Sequence, residues 1–275
     1  MIKTNYHMHS TFSDGRAEPE EYVKAAVEKG FVSIGFTEHG PTKFKKHWEL
    51  LPEKVAEYFA EIKRLKEFYC EKIEIYCGLE LDFLPGIENY DFYGSQIDYR
   101  IGSIHYFFDS DNVFGIDCRY EDFKKTVFDH FGGDVKKMVG EFYSRIIRMV
   151  EKFDPEIIGH FDLIKINNSN NEFFHEGERW YQDEIMKVLQ YIAGKGTMLD
   201  VNTGGITRGF LTEPYPGPWA LREAAHLKIP VTLNSDAHRP EHIDGNYELV
   251  TQILKDAGYR EKMILRSGKW ESVSL

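Results

Sequence analysis

Short runs rich in β-branched and aromatic residues alternate along the chain with longer segments in which apolar side chains recur every third or fourth position. The pattern predicts strands at residues 3–9, 33–38, 73–81, 99–106, 157–160, 198–202 and 231–234. Helices are expected at 19–29, 52–69, 179–195, 219–227 and 247–257, with two helical stretches between 120 and 152. Seven strands with helical connections, and no composition break or Pro/Gly/Ser-rich linker, describe an α/β chain that closes into one barrel-like domain spanning residues 1–275. The segments 85–93 and 107–120 exceed the usual ~2–6 residue connection and are expected to shape the mouth of a site. The Asn-rich run 167–171 is too short to be a low-complexity tract.

Composition narrows the class. Hydrophobic residues make up 42% of the chain and charged ones 29%, close to the globular average, and no apolar run approaches the ~18 residues that span a bilayer. Residues 1–6 lack the apolar core of a secretory signal. Cys70, Cys77 and Cys118 are odd in number and form no Cys-x-x-Cys pair, which argues against a disulfide framework or a thiolate metal site and for a reducing cytoplasm. A net charge of −11 disfavours an extended grip on nucleic acid, so a phosphate substrate would need local attraction, such as bound cations supply.

The candidate chemistry lies at the strand ends. His7 and His9 alternate along the first strand and therefore project to one face. Glu38 with His39, then Glu80, His105, His160, and Asp236 with His238 recur at the C-terminal ends of later strands, the rim on which β/α barrels carry their sites. Asp14, directly after the first strand, can reach the same rim. Imidazole and carboxylate suit Zn, Mn or Fe, and a set without thiolates favours a catalytic over a structural site. His47, His130, His175, His226 and His242 fall in helices or loops and read as solvated or hydrogen-bonded side chains.

Together, His-x-His with Ser13-Asp14-Gly15, Thr37-Glu38-His39, Gly78-Leu79-Glu80, Gly102-Ser103-Ile104-His105, Gly159-His160-Phe161-Asp162 and Ser235-Asp236-Ala237-His238 resemble the PHP (polymerase and histidinol phosphatase) family, most closely its stand-alone histidinol-phosphatase branch. That resemblance implies a distorted (β/α)7 barrel and three divalent ions. The first would take His7, His9, Glu80 and Asp236; the second Glu80, His105 and His160; the third Asp14, His39 and His238. Glu80 would bridge two ions, and Glu38 would support the site rather than bind metal. Similar family members place an arginine on phosphate where Arg208 stands and a basic residue where Lys165 stands. Asp82 and Asp162, each two positions beyond a proposed ligand, could orient a histidine or serve as loop-end acids.

The implied reaction is in-line hydrolysis of a phosphate monoester, favoured as L-histidinol phosphate in histidine biosynthesis, by a hydroxide bridging two ions ~3.5–4 Å apart, with Asp236 or His238 as candidate acids. Glu213 or Asp117 could meet the substrate's amine. A phosphodiesterase or exonuclease, a nucleotide phosphatase, and a catalytically dead metal-binding scaffold are the alternatives.

Overall fold

The computed structural model describes residues 2–42, 44, 48–84, 96–109 and 112–275. The expected loop 85–93 and His47 lie outside them. Seven parallel strands run side by side in the order β1 (Lys3–Asn5), β2 (Phe31–His39), β3 (Glu74–Asp82), β4 (Tyr99–Ser103), β7 (Ile157–Ile158), β8 (Met198–Asn202) and β9 (Val231–Asn234). All the strands expected from the sequence are present, and they form a nearly closed barrel.

Closure between β9 and β1 uses side chains where a ladder would otherwise run. Asn234 Oδ1 accepts from the Tyr6 amide at 2.7 Å, Asn5 Oδ1 accepts from Ser235 N at 3.2 Å, and Asn5 Nδ2 donates to Ser235 Oγ at 2.7 Å. One turn further, Met8 and Ala237 form a parallel bridge with His9 N donating to Ala237 O at 3.0 Å. β1 ends at Asn5, whereas the expected strand continues to residue 9.

The helices form the outer layer. α1 (Pro19–Glu28) opens on a proline at its first turn, whose missing N–H costs nothing there. α2 (Val55–Phe68), α5 (Arg179–Ile192), α7 (Pro218–His226) and α8 (Tyr247–Ala257) each bury one stripe against the sheet. In α4 (Val135–Phe153) Asp134 caps the start by accepting from Lys137 N at 3.0 Å, and nine residues from Met138 to Phe153 are buried.

Two hairpins depart from the expected pattern. The strand foreseen over 99–106 breaks after Ser103, and Tyr106 opens a hairpin of β5 (Tyr106–Asp109) and β6 (Asn112–Gly115), followed by the short α3 (Tyr120–Lys125). At the end of the chain β10 (Glu261–Arg266) and β11 (Lys269–Ser274) pair antiparallel and pack Ile264 and Leu265 with Tyr6, Tyr99 and Ile101 across the base of the barrel. Tyr99 fits there because Gly35 and Gly78 leave it space: a Cβ on Gly35 would stand 2.2 Å from its hydroxyl.

Candidate metal centre

The opposite, open end of the barrel collects the histidines and acids. His39 ends β2 and Glu80 lies two residues before the end of β3, while His105 and His160 each follow two residues after β4 and β7. Gly159 lets β7 approach β4, since a Cβ there would come within 2.3 Å of Ser103 Oγ. Asp236 follows β9 in the left-handed backbone region, with φ 50°, a strained conformation for a non-glycine residue of the kind that clusters at functional sites.

Glu80 is the hub. Its Oε1 lies 2.9 Å from His160 Nε2 and 3.5 Å from His105 Nε2, and its Oε2 lies 2.9 Å from His39 Nδ1, 3.4 Å from His7 Nε2 and 3.6 Å from His9 Nε2. Asp236 Oδ1 stands 3.3 Å from His9 Nε2, and Asp14 Oδ1 stands 3.2 Å from His238 Nε2 and 3.7 Å from His39 Nε2. The His7 and His9 rings lie 5.3 Å apart, on one side as the alternation required. Four overlapping groups could each hold a cation: His9, Asp14, His39 and His238; His7, His160 and Asp236; His7, His9 and Glu80; His39, Glu80 and His105.

Buried polar atoms are ordinarily hydrogen-bonded. Here His7 Nε2, both ring nitrogens of His9, Asp14 Oδ1 and Glu80 Oε2 are buried without a hydrogen-bond partner among the described residues. These orphaned lone pairs, converging from separate strands with no thiolate among them, fit divalent ions bound by nitrogen and oxygen.

The electrostatics agree. Burial disfavours the Glu80 carboxylate, yet His7, His105 and His39 hold it well below the usual range; Asp236 is held low in the same way by Arg208 and His7. Burial opposes protonation of His7 and His105, but Glu80, Asp236 and Asp200 overcome it at His7, and Asp82 and Glu80 push His105 up to about 10. His9 goes the other way, lowered to about 3 by burial and by the neighbouring His39 and His238, so its ring is neutral and its lone pair available.

Outer partners orient the inner ring. Asp200 Oδ2 meets His7 Nδ1 at 2.7 Å, and Asn202 Nδ2 donates to Asp200 Oδ2 at 2.9 Å. Asp82 Oδ1 meets His105 Nδ1 at 3.0 Å, the orienting role open to it from the sequence. Asp162 does not take that role; its Oδ2 accepts from Gly217 N at 2.8 Å and meets Lys165 Nζ at 2.8 Å. Glu38 accepts from Ser10 N at 3.0 Å and from the hydroxyls of Ser10 and Ser13, pinning the turn that delivers Asp14. Asp200 escaped the sequence reading, although its place in the same-face alternation of Asp200 and Asn202 at the end of a strand was a usable signal.

The two basic candidates part ways. Arg208, at the end of the short helix α6 (Gly204–Thr207), lines a cavity of 530 Å³ above the cluster and holds Asp236 Oδ2 with Nη2 at 3.2 Å. Lys165 is not brought to that cavity. Its buried ammonium is taken by Asp162 at 2.8 Å, Glu213 at 2.8 Å and Glu176 at 3.7 Å, which overcome burial and raise its pKa. Glu213 thereby faces Lys165 as well, whereas Asp117 lines the cavity with Arg16, Trp48 and Phe210. His130, stacked on Phe114, His175, His226 and His242 lie outside the four groups found among the described residues.

A model of the PHP domain family matches residues 5–204. Over 261 residues the chain is 30% identical to a "probable histidinol-phosphatase" of Deinococcus radiodurans, covering 92% of this chain and 93% of that protein. The histidinol-phosphatase of Bacillus subtilis is 27% identical over 266 residues, covering 90% of this chain and 98% of that one. In fold the chain is similar to the crystal structure of histidinol phosphate phosphatase from Lactococcus lactis, complexed with Zn, L-histidinol and phosphate, with a TM-score of 0.75 at 22% identity and 98% of each chain covered.

Proposed function

The chain belongs to the PHP domain family, and from that membership we propose that residues 1–275 work as one metal-dependent phosphomonoesterase that hydrolyses L-histidinol phosphate to L-histidinol and phosphate. The activity is that of a histidinol-phosphatase. The observation that carries the reading is the set of buried, hydrogen-bond-orphaned atoms of His7, His9, Asp14 and Glu80, of which Asp14 and Glu80 line the 530 Å³ cavity, a volume within the ~300–1,000 Å³ range of small-molecule sites.

Three divalent ions, Zn, Mn or Fe, would be held by His7, His9, Glu80 and Asp236, by Glu80, His105 and His160, and by Asp14, His39 and His238. When bound, such ions supply Lewis acidity to phosphoryl oxygens and lower the pKa of water. The chain's own residues do the rest. Glu80 reaches both halves of the histidine ring, and Arg208 offers its guanidinium fork to phosphate oxygens while its contact with Asp236 sets its direction. His238, whose Nδ1 lies 2.9 Å from the Asp236 carbonyl, would hold the proton that the leaving alkoxide takes; Asp236, the other candidate from the sequence, is kept ionised by Arg208 and His7. Lys165 acts from behind, tying the 160–165 segment to Glu213 and standing 5.7 Å from the Tyr215 ring, which lies 6.2 Å from that of His160. Three free cysteines and the absence, among the described residues, of a helix long and apolar enough to cross a membrane accord with a cytoplasmic setting.

The test is phosphate release from L-histidinol phosphate beside generic phosphate esters, with Zn or Mn supplied and after chelation. Turnover of L-histidinol phosphate that disappears on chelation and returns with metal is expected. Undiminished turnover by metal-free protein would sink the mechanism, and hydrolysis of DNA 3′ ends without activity on L-histidinol phosphate would favour the exonuclease reading.

A further inference from the structure

L-histidinol phosphate carries two opposite charges close together, because its ammonium sits on the carbon next to the ester methylene. A cavity built for it therefore needs an anion beside its phosphate-binding pole. Four acids line the cavity: Asp14, Glu80, Asp117 and Asp236. Three belong to the cation-holding groups, Glu80, Asp14 and Asp236, the last also held by Arg208. Asp117 makes no hydrogen bond or ion pair among the described residues and is exposed to the cavity.

Its backbone is nevertheless held on both sides. Asn167 Nδ2 donates to the carbonyls of Ile116 at 3.3 Å and Cys118 at 3.1 Å, the residues flanking Asp117, and Ile116 N donates to the carbonyl of His105 at 2.8 Å. A fixed backbone carrying a free carboxylate is the arrangement expected of a group waiting for a ligand rather than of a loop acid that happens to be solvated. Asp117 lines the same cavity as His105 and His160 of the histidine cluster and as Arg208.

The geometry points to Asp117 as the carboxylate that receives the substrate's primary ammonium and so selects amino-alcohol phosphates over phosphate esters lacking the amine. This rests on the reading of the cavity as a histidinol-phosphate site. Asn167 is the residue that positions it.

The experiment measures kcat/KM of the metal-loaded enzyme and of Asp117→Asn for L-histidinol phosphate and for the phosphate of 4-(3-hydroxypropyl)imidazole, which lacks only the amine. The ratio of the two constants is expected to fall about 10–100-fold in Asp117→Asn, the worth of a charge-assisted hydrogen bond, with Asp117→Glu keeping most of it. An unchanged ratio, even with both constants reduced, overturns the assignment and makes Asp117 a general contributor to the chemistry. Wild-type enzyme inactive on L-histidinol phosphate overturns the underlying reading as well, so the two failures are told apart by the wild type alone.

Discussion

The two ends of the barrel are built from the same strands and treat polar atoms in opposite ways. At the base, Tyr6, Tyr76, Tyr99 and Trp270 pack edge to face, and each tyrosine hydroxyl has a partner: Tyr6 Oη meets Ser33 Oγ at 2.6 Å, Tyr99 Oη donates to Tyr6 O at 2.7 Å, and Tyr76 Oη donates to Glu74. At the mouth, His7, His9, Asp14 and Glu80 present lone pairs that no hydrogen bond among the described residues satisfies. Tyr6 and His7 are adjacent, yet one completes a packed layer and the other ends on an unpartnered nitrogen. A polar atom left unsatisfied in a buried place costs stability. The mouth thus holds chemical capacity in reserve, and the base supplies the packing that keeps its geometry.

The sharpest way to break this comparison is Glu80→Gln. Removing the hub carboxylate should lower phosphate release by at least about 10³-fold and reduce bound metal measured by elemental analysis, with the far-ultraviolet circular dichroism retained. Collapse of the fold would show that the mouth, too, is structural. At the base, Tyr99→Ala should cost about 3–5 kcal/mol in denaturant unfolding, because it empties the space between Gly35 and Gly78 and frees the Tyr6 carbonyl, while the remaining folded enzyme keeps its KM.

Arg208→Ala should lower kcat/KM by about 10²-fold and move the unfolding midpoint little, since its guanidinium faces the cavity rather than the packed core. The smallest effect sharpens an exception. Lys262 is a buried ammonium at the base whose hydrogen bond goes to Thr4 Oγ1 at 3.2 Å, and burial pushes its pKa down to about 8. A folded value below the unfolded one means that the penalty is full at neutral pH and is relieved as pH rises from about 8 towards the unfolded value near ~10.4. Lys262→Met should therefore be more stable than the parent by about 1–2 kcal/mol at pH 7, an advantage that shrinks by pH 10; an advantage independent of pH would place the gain in packing alone.

Much of the site could be read without coordinates because strand period and barrel direction do the convergence. His39, Glu80, His105, His160 and Asp236 stand at or just beyond strand ends, and parallel strands bring those ends to one rim whatever the intervening sequence. What escaped depends on contacts between distant segments. The hairpin β10–β11 carries no signal that it should cover the barrel's base, since its seat is made by Tyr6 and Tyr99. Asp200 becomes the partner of His7 only when β9 closes on the first strand and brings β8 within reach of it.

By itself the sequence determined the element order, the seven-stranded parallel plan and the residue types gathered at the open end, since side-chain periodicity and strand polarity are local properties. The fates of Lys165 and Arg208 were decided by tertiary structure alone: both are basic residues soon after a strand, yet three carboxylates from separate segments close around one and a cavity opens before the other. Charge environment is a sum over neighbours in space, and neighbours in space are not ordered by the chain.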